Sequence, residues 1–205
     1  MHFSYDSVRN LAYGPPIFND EALHHVHLNN IEVLYLHVPI DYRFLSRVPK
    51  LENLHSLNVV ISTVIYQWQL QALFDNALRL YLLSFEARNT SSTSPPYQCT
   101  TASFHRLNLQ NSGQSSYNHR YTSKQCLELS RSPIGIQCRV LLIEVEKLKC
   151  ILDLIYSMIN LRTLHVSYEY DKHSNKLDLV KALEECLLST WTVTRFYYEY
   201  FVIQS

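Results

Sequence analysis

A short apolar template that recurs along the chain limits its fold more than any other sequence feature. In this template, apolar-x-x-Leu-x-apolar, the central position is always leucine. The matches are Ile31/Leu34/Leu36, Leu54/Leu57/Val59, Leu80/Leu83/Phe85, Phe104/Leu107/Leu109, Cys138/Leu141/Ile143 and Leu161/Leu164/Val166. Their first positions lie 23, 26, 24, 34 and 23 residues apart. Because alternate residues of a strand share one side, each match predicts a strand with one buried face.

Between these strands the apolar spacing changes from two residues toward 3.6, which predicts helical connections. Helices are predicted at Asp41–Val48, Gln67–Ala77, Lys124–Ser130, Lys147–Ile159 and Ser174–Leu188. A strand and a helix within every 20–29 residues are typical of leucine-rich repeats, which stack to cover one another's apolar faces. We therefore predict an α/β fold, namely a short, degenerate leucine-rich-repeat solenoid (horseshoe) of about six strand-plus-helix or strand-plus-loop repeats.

The two ends of the chain differ from these repeats. Residues 1–30 include Gly14-Pro15-Pro16 and show no countable pattern, so we interpret them as an N-terminal cap or remnant segment. Trp191–Gln204 is rich in β-branched and aromatic residues, which predicts a β-rich C-terminal cap of one or two strands. Residues 31–205 are predicted to form the leucine-rich-repeat domain, with mobile loops near residues 89–103 and 110–120.

Composition narrows the classes of function. Lysine plus arginine and aspartate plus glutamate both number 18, so the basic excess of a nucleic-acid-binding protein is missing. No segment approaches the roughly 18 consecutive apolar residues of a membrane span. Five cysteines without a C-x-x-C pair predict free thiols and a reducing compartment. We therefore expect an intracellular protein, cytoplasmic or nuclear, that binds neither nucleic acid nor membrane.

The strand face opposite the leucines is predicted to bind protein. Its side chains alternate with the buried ones and are mostly polar or aromatic. Such a mixture offers hydrogen bonds with few dominant charges, which suits protein recognition. The predicted binding residues of this concave face are Tyr35, His37, Asn58, Ser84, Glu86, Arg106, Asn108, Leu142, Glu144 and His165. A solvated face without a dedicated ligand is the alternative.

No catalytic or cofactor motif is recognisable, so we expect no enzymatic activity, no cofactor and no metal. Four histidines lie between residues 24 and 37, but no cysteine or carboxylate completes a metal-ligand spacing with them. Cys126 and His119 are close in sequence, yet no local signature of a nucleophile and its base surrounds them. We interpret the histidines as an exposed cluster and Cys126 as a packed thiol.

Several segments resemble the leucine-rich-repeat half of F-box proteins. The matching segments are Val48–Leu51, Leu54–Val59, Leu127–Pro133, Gln137–Cys138, Met158–Val166, Leu188–Trp191 and Arg195. The resemblance implies a substrate receptor, in which an F-box docks on the Skp1 adaptor of a cullin ubiquitin ligase and the repeats hold the target. Residues 1–40 have neither the length nor the leucine-proline start of an F-box, so a ligase link would need an F-box encoded upstream.

The resulting hypothesis is a non-enzymatic protein-interaction module for an unidentified protein target. Skp1 and a cullin would be further partners if an F-box exists upstream. One alternative is a repeat-only scaffold or truncated fragment without a ligase link. Another is an enzyme of uncharacterised activity.

Overall fold

The computed structural model describes the chain in twelve separate stretches. These are residues 8–14, 30–40, 44, 51–61, 67–87, 95–101, 103–110, 120–168, 181, 183–187, 190–196 and 200–205. The helices expected at Asp41–Val48 and Ser174–Leu188 fall largely outside these residues, as does most of the loop near 110–120.

The chain divides into two compact units. The first contains Met1–Phe104 and Asn111–Tyr117, and the second contains His105–Gln110 and Asn118–Ser205.

The first unit is built on parallel strands whose spatial order follows the sequence. The strands are β1 (Asn10–Tyr13), β2 (Val33–Val38), β3 (Ser56–Ile61) and β4 (Leu82–Ala87). Each pairs in parallel with the next, and helix α1 (Gln67–Asn76) connects β3 to β4. Strand β1 lies within the N-terminal segment for which the sequence indicates no regular element, and its Leu11 is aligned with Leu34 of β2.

The second unit combines parallel and antiparallel strands. Its strands are β5 (Arg106–Asn108), β6 (Val140–Val145), β7 (Thr163–Tyr168), β8 (Thr192–Phe196) and β9 (Tyr200–Gln204). Strands β5, β6 and β7 are parallel, whereas β9 runs antiparallel to both β7 and β8. Its helices include α2 (Ser123–Arg131), α3 (Pro133–Gln137) and α4 (Leu148–Ser157).

The predicted leucine-rich-repeat solenoid is wrong. The described residues instead form an open α/β fold with nine strands in mostly parallel pairing. The connections are not copies of one unit, because one helix follows β3, two helices precede β6, and the last two strands are antiparallel. The leucine spacing led to the error because any two parallel strands need a crossover of a dozen or more residues, usually helical. Such a crossover produces the same interval in an open sheet.

The alternation of leucines determines which face of each strand is buried. Leu34 and Leu36 are fully buried in β2, whereas Tyr35 between them is 46% exposed. The same alternation holds along β6, where Leu141 and Ile143 are fully buried. Helices cover this apolar side, and side chains such as Leu70, Leu73, Leu129, Ile151 and Leu154 are completely removed from water.

A single serine links helices α2 and α3. The Ser132 hydroxyl donates to the carbonyl of Leu129 at 2.6 Å and accepts the Gly135 N–H at 3.0 Å. It therefore follows the last turn of α2 and is also the N-cap of α3, where Pro133 occupies the first turn. At the other end of α2, Thr122 and Gln125 form a capping box, which satisfies two of the backbone donors left open at a helix start.

Two glutamines of α1 bind backbone groups remote in sequence. The Gln69 amide accepts the Ile40 N–H at 3.3 Å and donates to the Ile40 carbonyl at 2.8 Å, and this pair is buried. The Gln71 amide makes the same two bonds with the backbone of Thr100, both at 2.9 Å, but at an exposed position. In each case the side-chain amide satisfies a backbone N–H and a backbone carbonyl that a neighbouring strand would satisfy in a regular sheet.

Replacing Gln69 by leucine should destabilise the protein by roughly 2 kcal/mol, because both backbone groups of Ile40 would be left buried and unpaired. Gln71→Leu is the matched control, since water can replace the amide at the exposed Thr100 and the expected cost is below about 1 kcal/mol. Urea unfolding followed by circular dichroism would measure both. Equal losses of stability would contradict the role assigned to the buried amide.

Candidate protein-binding face

The side of the strands opposite the buried leucines is open to solvent to a degree that is unusual for parallel strands. Parallel sheets are normally covered by helices on both faces, so their strands are buried throughout. Here β2 and β6 alternate between buried residues and exposed or half-buried ones. We call this accessible side the polar face of each unit. An uncovered face on parallel strands is the first candidate for a binding surface.

On the polar face of the first unit, one row crosses all four strands. Backbone register aligns Ala12, Tyr35, Asn58 and Ser84. The aromatic ring of Tyr35 is the most prominent apolar group in this row. Asn58 also donates a hydrogen bond to the hydroxyl of Ser56 on the same strand, at 3.4 Å. The row therefore combines one aromatic anchor with an alanine on one side and small polar groups on the other.

A second row of the first unit contains His37, Val60 and Glu86. The His37 imidazole lies against Gly14, where an added Cβ would come within 2.9 Å of the ring atom Cδ2. Glycine is suited to this position because it lets the ring approach the backbone closely. Val60 is buried although it alternates with Asn58 on this side, so the polar face is interrupted there.

The polar face of the second unit is built on β5, β6 and β7. One row aligns Asn108, Leu142 and His165, and the antiparallel strand β9 adds Val202 beside His165. The neighbouring row aligns Arg106 with Val140 and Thr163. At the opposite end, Glu144 is aligned with Ser167. The arginine and the glutamate therefore lie at opposite ends of this face, with the row of Leu142 between them.

Burial and a neighbouring charge keep His165 neutral. Burial lowers the pKa of this imidazole below its ordinary value, and the positive charge of Arg106 lowers the pKa further. At neutral pH the ring therefore has one donor and one acceptor nitrogen, so it can take part in hydrogen bonds of either direction. The positive charge on this part of the face comes from Arg106.

Strand β5 and the residues after it contain donor groups without acceptors. Among the residues that the structure describes, neither the buried Nε atom of Arg106 nor the buried Nε2 atom of Gln110 has a hydrogen-bond partner. Between them, the Oδ1 atom of Asn108 accepts the backbone N–H of Gln110 at 3.0 Å. Arg106 and Asn108 alternate along β5, and the bond to Asn108 holds Gln110 next to them, so we call these three side chains the donor row.

The structure thus distributes the predicted binding residues over the two polar faces. The first unit holds Tyr35, His37, Asn58, Ser84 and Glu86. The second unit holds Arg106, Asn108, Leu142, Glu144 and His165. Whether they bind protein stays a prediction. Ala12 of β1 is a further residue of this face that was not predicted, although Val8/Leu11/Tyr13 fits the same template 23 residues before Ile31/Leu34/Leu36.

Other candidate chemistries find little support in the described residues. His24, His25, His27 and His119 lie outside them. Within the described part of the chain, no three histidine, cysteine or acidic side chains are placed to hold a metal ion together. Cys126 is buried beside Cys150, and burial is the main cause of its strongly raised pKa. A thiol with a raised pKa is a poor nucleophile at neutral pH.

All five cysteines are free thiols, and only Cys186 is exposed. Burial raises the pKa of Cys99 to about 11 and that of Cys138 to about 12, so these groups behave as small apolar core residues. Of the helices that the structure describes, none has both the length and the apolar character needed to cross a membrane.

Two comparisons with known proteins return no match. A scan against protein-family models finds no matching family, and a search of curated proteins finds no match.

Proposed function

We propose that this chain is a non-enzymatic protein-interaction module that binds its target through the polar faces of its parallel strands. The observation that carries the proposal is the accessible side of β2 and β6, in strands whose other side is fully buried. Leaving one side of parallel strands uncovered is uncommon, and a partner protein would supply the missing cover.

The composition of the two faces supports a protein as the ligand. Tyrosine and arginine, both enriched at the energetic centres of protein interfaces, occur here as Tyr35 and Arg106. Neutral amides and hydroxyls surround them, which favours specific hydrogen bonding over general charge attraction. The equal numbers of basic and acidic residues also make a nucleic acid or an anionic membrane a poor match.

The resemblance of seven segments to F-box substrate receptors supports a more specific version of the proposal. In that version, the polar faces hold a target for ubiquitin transfer, and an F-box contributes the link to Skp1 and a cullin. The five free thiols fit the reducing interior of a cell, which is where we place the protein.

The proposal is tested by affinity purification of the tagged full chain from extract of its native cells, followed by quantitative mass spectrometry. Tyr35→Ala should reduce the recovery of the specific partners at least fivefold, because it removes the aromatic anchor of the first polar face. Trp68→Ala is the matched control, since Trp68 is a 59% exposed aromatic residue on helix α1. It should leave the same partners bound.

Identical partner sets for the wild type and both variants would contradict binding through the polar face. Recovery of Skp1 and a cullin would support the ligase version. Face-dependent partners without Skp1 and a cullin would remove the ligase version and leave a binding module.

A further inference from the structure

The donor row of the second unit has more hydrogen-bond donors than the described residues around it satisfy. Buried donors are almost always paired in folded proteins, and each exception calls for an explanation. Here two occur on side chains four residues apart, on Arg106 and Gln110. Both groups are N–H donors that lack an acceptor, so the missing partner is expected to contribute oxygen atoms.

The charge pattern identifies the kind of acceptor. Arg106 is positively charged and His165 is kept neutral, so this end of the face has a net positive charge. Glu144 lies four residues further along β6 than Val140, the residue aligned with Arg106. A carboxylate near Arg106 would thus meet a planar guanidinium whose N–H groups can form two parallel bonds to both carboxylate oxygens, once the side chain turns its buried Nε toward the partner.

We infer that the donor row binds an acidic segment of the partner protein, with a glutamate or aspartate carboxylate on Arg106 and amide contacts from Asn108 and Gln110. This inference rests on the proposed function, because it names the chemistry of the partner that the polar face holds. Thr163 lies in the same row as Arg106 but two strands away, with Val140 between them. Leu142 supplies an apolar floor beside Asn108.

The inference is tested with a defined probe rather than with the unidentified partner. A fluorescein-labelled hexaglutamate peptide is titrated with the full chain at low salt, and binding is followed by fluorescence anisotropy. Hexaglutamine of the same length is the neutral comparison. Arg106→Gln should weaken hexaglutamate binding at least tenfold, because it removes the guanidinium and preserves much of the side-chain length. Arg131→Gln, at an exposed position of α2, is the matched control and should change binding less than twofold.

A second measurement reports on the donor atom itself. The Nε–H resonance of Arg106, assigned by its disappearance in Arg106→Gln, should shift on addition of hexaglutamate and stay in place with hexaglutamine. A circular-dichroism melt of Arg106→Gln within about 3 °C of the wild type would show that the loss of binding is not a loss of fold.

Three results would overturn the inference. One is the absence of hexaglutamate binding, and the second is equal weakening by Arg106→Gln and Arg131→Gln, which indicates general charge attraction. The third is tighter binding of a hexauridine RNA than of hexaglutamate, which would assign the donor row to phosphate. If face-dependent protein partners are still recovered from cells in any of these cases, the binding function survives and only the acidic chemistry of the partner fails.

Discussion

Replacing Leu107 by aspartate is expected to unfold the second unit. Leu107 is completely buried in the middle of β5 and is aligned with the equally buried Leu141. Truncating a buried leucine alone costs about 2–5 kcal/mol. An unpaired buried carboxylate adds several more, and together these approach the roughly 5–15 kcal/mol that stabilises a typical domain.

Asn108→Asp is the control for this substitution, because it introduces the same side chain one position along the same strand. Asn108 lies on the polar face, and an aspartate there keeps the acceptor oxygen used by the Gln110 N–H. Its melting temperature should stay within about 4 °C of the wild type, whereas Leu107→Asp should show no cooperative transition. Circular dichroism would record the thermal unfolding curve of each variant. Similar curves for the two variants would disprove the register of β5.

Gly135→Ala has the second largest expected effect. A methyl group at this position would lie 1.9 Å from the carbonyl oxygen of Leu129 and 2.8 Å from its carbonyl carbon. Both are backbone atoms, so relief of the clash requires α2 and α3 to move apart at the Ser132 junction. We expect a loss of upwards of about 3 kcal/mol, the upper end of what overpacking usually costs.

Ile136→Ala is the matched control for Gly135→Ala. Ile136 follows Gly135 in the same helix but is 44% exposed, so its truncation removes little buried surface. For a chain of this size, 3 kcal/mol corresponds to a fall of roughly 6–12 °C in melting temperature, and the control should fall by less than about 3 °C. Differential scanning calorimetry would resolve the two. A Gly135→Ala protein as stable as Ile136→Ala would mean that the turn between α2 and α3 is not as tight as described.

The sequence was a good guide to local structure because local structure depends on local spacing. Alternating leucines determine which side of a strand is buried, so the sequence alone predicts most residues of the polar faces. Helices α1, α2 and α4 were predicted to within two residues at each end, because their apolar stripes repeat about every 3.6 residues. Strand β1 was missed although Val8/Leu11/Tyr13 fits the leucine template, because the strand has only four residues and Gly14-Pro15-Pro16 follows it directly.

The global arrangement could not be predicted in the same way. An interval of 23–34 residues between leucine templates is compatible with stacked repeats and with crossovers in an open sheet, so it does not distinguish the two. Pairings between remote residues, such as Gln69 with Ile40, leave no periodic signal. The burial of Val60 and the unpaired donors of Arg106 and Gln110 likewise depend on tertiary packing, which sequence spacing does not contain.

The double role of Ser132 has a consequence for cooperativity. One hydroxyl bonds to the last turn of α2 and to the first turn of α3, so neither helix end can fray at this junction without breaking a bond that the other helix also uses. Local opening that would normally be confined to a helix terminus is therefore shared by two helices. Residues 123–137 should behave as a single unit in hydrogen exchange, with both helices opening in one event.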